Sequence, residues 1–126
     1  MIALTRNDYE PDIVFFSKTK ARHFKRSQTR FPAPDFIVEI LSPSSVQTDR
    51  GVKFEDYAAH GVAEYWIIDP AKKTLEQYLL EGGAYRLALK ARTGTVRSRA
   101  VKGFEIPVAA IFGRRANLDS LRRLLR

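Results

Sequence analysis

Apolar positions in this chain gather into short runs rather than long helical stripes. The densest run is Pro34-Asp-Phe-Ile-Val-Glu-Ile-Leu-Ser42, where Phe36, Ile37, Val38, Ile40 and Leu41 are apolar and Ile37, Val38 and Ile40 are β-branched. Such a run fits a strand covered on both faces of a sheet. Pro43 cannot donate to a ladder and ends it. Asp35 and Glu39 interrupt the run four residues apart, so a strand carries both on one face. A buried carboxylate is costly unless a cation or a metal pairs with it. Glu39 is therefore the residue that the rest of the chain has to explain.

Other elements fall around this strand. Residues 1–4 are a short apolar start, a strand stub; residues 8–11 (Asp-Tyr-Glu-Pro) read as a turn. Residues 12–16 read as a second buried strand, entered through Pro11-Asp12. The basic stretch 17–31 lacks apolar periodicity and suits an exposed connection, helical or loop. After the turn Ser42-Pro-Ser-Ser45, a helix is expected over 49–60, capped by Ser45 or Thr48, with Val52, Tyr57 and Ala58 facing inward and Gly61 ending it. Residues 64–69 (Glu-Tyr-Trp-Ile-Ile-Asp) predict a third buried strand, parallel to the central one through a right-handed crossover. Residues 74–80 and 84–91, joined by Glu-Gly-Gly, predict a hairpin. Shorter strand pieces follow at 96–101 and 104–108, and Leu118, Leu121, Leu124 and Leu125 predict an amphipathic C-terminal helix. The expected fold class is α/β: a small mixed sheet with a covering helix and an antiparallel extension.

Composition narrows the class. A length of 126 residues allows a single core, and 44% hydrophobic with 29% charged residues is globular rather than disordered. No apolar run reaches the roughly 20 residues that span a bilayer, and Thr5, Arg6, Asn7 and Asp8 break any signal-like start. The absence of cysteine excludes disulfides and thiolate zinc sites and fits a cytoplasmic protein. A net charge of +8, concentrated in 18–30, 86–102 and 114–126, raises the expectation of a polyanionic partner, against the plainer reading of a solvated surface.

Three groups could converge on chemistry: Asp12 at the mouth of one strand, Glu39 on its neighbour and Lys53 on the following helix. Two carboxylates form an oxygen-rich site suited to Mg²⁺, or to Mn²⁺, and an ammonium beside them would orient water or offset charge on a phosphoryl group. Phosphodiester hydrolysis needs these parts. Taken singly, Asp12 reads as a turn or cap residue and Lys53 as a solvated lysine. Asp35 and Ser42 are candidates to support the site from behind; Asp35 is equally a turn residue, and Ser42 could simply end the strand. Asp49 reads as a helix-start carboxylate, His60 as a helix C-terminal residue, and Tyr65 and Trp66 as core. His23 and His60 do not suggest a metal pair.

A family resemblance joins these residues. Pro11-Asp12, residues 34–45, then Asp49, Lys53 and Tyr57, residues 61–70 (Gly-Val-Ala-Glu-Tyr-Trp-Ile-Ile-Asp-Pro) and Gly103-Phe-Glu-Ile-Pro107 together resemble the Uma family of restriction-endonuclease-like proteins. The resemblance covers residues 9 to 113 and rests on the combined spacing. It implies the PD-(D/E)XK nuclease fold, a mixed sheet flanked by helices with a Mg²⁺-dependent site. Asp12 and Glu39 would then be the metal-binding acids. Where that pattern has a lysine two residues after the Glu, this chain has Leu41, and Lys53 would replace it from the next helix. The family carries a helix and strands ahead of the Pro-Asp strand, so the resemblance implies a restriction-endonuclease-like domain over 1–113 whose first elements are missing, with 114–126 as a helical tail. An exposed sheet edge would then invite a homodimer. The expected function is a Mg²⁺-dependent endonuclease acting on DNA; the alternatives are a catalytically inactive or truncated nuclease-fold module that binds nucleic acid or protein, or a non-functional product.

Overall fold

The computed structural model describes residues 1–5 and 7–113. The chain opens with β1 (Ile2–Ala3) antiparallel to β2 (Asp8–Tyr9), so the expected turn at 8–11 is partly strand. Next come β3 (Ile13–Phe15) and the short helix α1 (Lys18–Ala21), which Ser17 caps by accepting from the Lys20 N–H. The central strand β4 (Phe36–Ile40) leads into α2 (Val46–Arg50) and α3 (Val52–Ala59). β5 (Glu64–Asp69) follows, then the hairpin β6 (Thr74–Glu81) and β7 (Ala84–Ala91), the small pair β8 (Thr95–Arg97) and β9 (Glu105–Pro107), and α4 (Val108–Phe112).

The main sheet has the order β3-β4-β5-β6-β7; β4 and β5 are parallel and the other neighbours antiparallel. Successive residues of β4 and β5 alternate between two cores. Ile37, Leu41, Tyr65 and Ile67 pack with Tyr57 and Val62 on the helical side. Phe36, Val38, Trp66 and Ile68 pack with Leu75, Val96 and Val108 on the side closed by β8, β9 and α4. Both faces are covered, which is why the apolar runs are continuous instead of alternating. No helix among the described residues is long and apolar enough to cross a membrane.

The structure corrects four expectations. The strand at 12–16 is an uncovered edge, with Ile13 56% and Val14 37% exposed, because among the described residues β3 has a strand neighbour on one side only. The single helix expected over 49–60 is two helices broken at Gly51. There φ is −108° and ψ is −103°, and a Cβ would lie 2.6 Å from the Gln47 carbonyl oxygen, so the break tolerates no side chain without a shift. Tyr57 faces inward as expected, but Val52, at the start of the second helix, is exposed. Ser45 occupies the N-cap position of α2 without capping it by a side-chain hydrogen bond. The helix expected at 118–125 lies outside the described residues.

Candidate active site

The site forms where β4 ends beneath the α2–α3 break. Glu39, one residue from the end of β4, points to the helical side with 3% of its surface exposed. Its Oε2 lies 3.2 Å from Lys53 Nζ, and its Oε1 accepts from the Tyr57 hydroxyl at 3.2 Å. Those are long contacts for a carboxylate in a core, where charged hydrogen bonds usually close to about 2.8 Å.

Asp12 stands on the neighbouring strand's approach. Ile13 pairs with Val38, so continuing that antiparallel register by one residue sets Asp12 opposite Glu39. Its Oδ2 accepts the Ile40 N–H at 2.7 Å, tying it to the residue after Glu39. Lys53, in the first turn of α3, reaches two acids: besides Glu39, its Nζ lies 2.9 Å from Asp49 Oδ1. This second contact is a short ion pair between residues one helical turn apart. Asp49 is wholly buried, and its Oδ2 has no hydrogen-bond partner among the described residues. The Tyr65 hydroxyl donates to the Asp49 backbone carbonyl at 2.8 Å, and the Tyr9 ring centroid lies 6.0 Å from Lys53 Nζ.

Electrostatics follow from this crowding. Burial pushes Glu39 up from its ordinary 4.5 to about 7; the Lys53 charge opposes the rise, while Asp49 and Asp12 add to it. Burial also works against a charged Lys53, but the close Asp49 and the Glu39 charge outweigh it, so its pKa is raised and it remains an ammonium. Burial, with the Glu39 charge next, drives the Tyr57 and Tyr65 phenols upward, so both serve only as donors at neutral pH.

Asp12, Glu39 and Lys53 are thus brought together. Asp35 and Ser42 are not part of this cluster. Asp35 accepts the Ser17 N–H at 2.7 Å and pairs with Lys20 at 3.3 Å, holding the start of α1. The Ser42 hydroxyl bonds within the serine turn, to Ser44 and Ser45. Asp49 is the member that reading the sequence as a helix start overlooked; its i,i+4 spacing to Lys53 was the available signal. His60 closes α3, bonding the Asp56 carbonyl and Thr5, and Tyr65 and Trp66 are core, as expected. A concave region lined by Lys73, Arg92, Thr93, Ala109, Phe112 and Gly113 shares no residue with this cluster and contains no carboxylate.

The donor set suits a hard divalent cation. Among the described residues no group of three or more His, Cys, Asp or Glu forms a ready metal cage. Mg²⁺ does not need one, since it commonly takes one or two carboxylates and retains waters. An acid as buried as Glu39, raised toward neutrality and served by two long contacts, together with the unpartnered Asp49 oxygen, leaves negative charge that a cation would offset.

Among solved structures, the chain is similar to "a putative nuclease belonging to DUF820 from Anabaena variabilis", with a TM-score of 0.71 and 22% identity. The match covers 88% of this chain and 63% of that one, so this chain spans under two thirds of that protein's length. The likeness shows a shared fold, the mixed sheet with helices described above. No curated protein matches the chain. The model of the Uma2 family, described as "Putative restriction endonuclease", matches residues 2–109. The chain therefore belongs to the Uma2 family.

Proposed function

We propose that this domain is a Mg²⁺-dependent endonuclease, able to use Mn²⁺, that hydrolyses DNA phosphodiester bonds in the cytoplasm. The observation that carries the reading is the buried Glu39, opposed by Asp12 across the strand register and touched by Lys53. Asp12 and Glu39 would hold the ion, which when bound would supply Lewis-acid stabilisation of charge on the scissile phosphate. Lys53 presents a fixed ammonium that offsets phosphate charge and orients the attacking water. Tyr57 donates to Glu39 and fixes its rotamer. Exposed Lys18, Arg22, Lys25 and Arg26 on the connection before β4 supply cations for the DNA backbone, a contribution that weakens with salt. The uncovered β3 edge offers a pairing surface for a second copy, which light scattering would detect as a dimer. The match to a restriction-endonuclease family and the name of the Anabaena protein support the nuclease reading.

The test is cleavage of plasmid and linear DNA by the purified chain with Mg²⁺, Mn²⁺ or chelator. Cleavage should need the ion and fall by at least about 100-fold in E39A and K53A. DNA binding without cleavage by the wild type would remove the enzyme and leave a binding module of nuclease fold.

A further inference from the structure

A second buried carboxylate beside Glu39 is a cost that calls for a reason. Asp49 has no exposed surface, yet no donor among the described residues makes it an aligned hydrogen bond. Buried polar atoms are nearly always satisfied, and the exceptions tend to mark function or a missing cation. Asp49 is also held where it is: its carbonyl accepts from the Tyr65 hydroxyl, and the helix breaks at Gly51, between Asp49 and Lys53. Of the two acids within reach of Lys53 Nζ, Asp49 is the nearer, at 2.9 Å against 3.2 Å for Glu39.

Consider what a divalent ion at Glu39 would do to this arrangement. Like charge would repel the ammonium from that carboxylate. A lysine is a point charge with three rotatable donors on a flexible stem, so it would swing out to water unless another anion retained it. Asp49 offers one oxygen already in contact and a second one unpartnered. We propose that Asp49 is a positioning residue, the carboxylate that keeps Lys53 in the site when Glu39 is engaged by the metal. The assignment rests on the nuclease reading for its purpose but on the geometry of Asp49 and Lys53 for its substance. Asp49 itself is not a ligand of the ion in this scheme; it acts through the lysine.

The test follows the Lys53 ammonium directly by ¹H–¹⁵N NMR, assigned by its absence in K53R, in the folded full chain with and without saturating Mg²⁺. The wild type should show a slowly exchanging ammonium in both states, and E39Q should retain it. D49N should lose it once Mg²⁺ is added, and turnover should drop on the order of 10- to 100-fold with KM for DNA little changed. Calorimetric Mg²⁺ affinity of D49N should stay within about threefold of wild type, well short of what losing a supporting group costs in affinity. A tenfold or greater loss of Mg²⁺ affinity would make Asp49 a ligand and overturn the proposal, as would loss of the ammonium signal in E39Q. Should D49N fail to fold, the E39Q signal decides alone. Absence of cleavage in the wild type would sink the nuclease reading, while a retained E39Q signal would still uphold Asp49 as the anchor of Lys53.

Discussion

Two glutamates lie buried on adjacent strands of one sheet, and they are treated in opposite ways. Glu64, at the start of β5, faces the side closed by β8 and β9. Its carboxylate accepts from Trp66 Nε1, Gln77 Nε2, the Ser98 hydroxyl and the Arg99 and Ala100 N–H groups, all between 2.6 and 2.9 Å. Glu39, near the end of β4, has among the described residues only the Lys53 and Tyr57 contacts at 3.2 Å, with Asp12 and Asp49 adding negative charge around it. The first carboxylate is saturated by donors and ties the 98–101 loop to the sheet. The second is undersupplied, and its surroundings favour the arrival of a cation or a proton. Burial alone therefore does not distinguish the two acids; completeness of satisfaction does.

The largest expected effect is on the saturated side. E64A would strand those donors in the core and should destabilise the fold by about 3 to 5 kcal/mol, read by urea denaturation. A loss below about 1 kcal/mol would mean that the network is redundant and the contrast with Glu39 overstated.

Glu39 should behave the other way. Its carboxyl in the folded chain titrates at about 7, above its ordinary 4.5, so the folded state binds that proton more tightly across this window. The stabilisation from the protonated form is full below about 4.5 and is lost as pH rises through about 7. E39Q resembles the protonated form and leaves Asp49 and Lys53 as a balanced pair. It should therefore be more stable than wild type by on the order of 2 kcal/mol at pH 8, the difference fading as pH falls toward the acid range. Equal or lower stability of E39Q at pH 8 would show that Glu39 is structurally satisfied after all. On the proposed function, the same linkage should make Mg²⁺ affinity fall by about tenfold per pH unit below neutrality, which calorimetry at stepped pH would register.

The smallest effects come from single donors. S98A and Y57F each remove one hydroxyl from one glutamate and should each cost about 1 kcal/mol. Only Y57F should move the pH at which wild type and E39Q diverge, and it should move it upward, since the lost donor favoured the charged form. An equal pH shift in S98A would erase the distinction between the two acids.

Much of this was legible in the chain. A carboxylate inside Phe-Ile-Val-Glu-Ile-Leu had to be buried, and the two covered strands β4 and β5 and the hairpin stand where hydrophobic runs and Gly-Gly predicted them. Lys53 reached Glu39 as the family resemblance implied. Other assignments failed for nameable reasons. Asp35 shares the strand parity of Glu39, but it precedes the ladder and is drawn off by Ser17 and Lys20. Residues 12–16 look as apolar as the core strands, yet local sequence carries no record of whether a neighbour lies on the far side. Asp49 resembled an ordinary helix-start acid, because its burial depends on a break at Gly51 and on Tyr65 arriving from another strand.

Periodicity, turn residues and the misfit of one acid in an apolar run determined the strands, the parallel crossover and the importance of Glu39, since each depends on neighbours within a few positions. Which acid would be quenched by donors and which left short was decided only by tertiary structure. The groups that satisfy Glu64 come from 2 to 36 residues away in the chain, and those around Glu39 come from separate strands and helices. Solvation of a buried charge is a property of that assembled shell, and no stretch of sequence holds it alone.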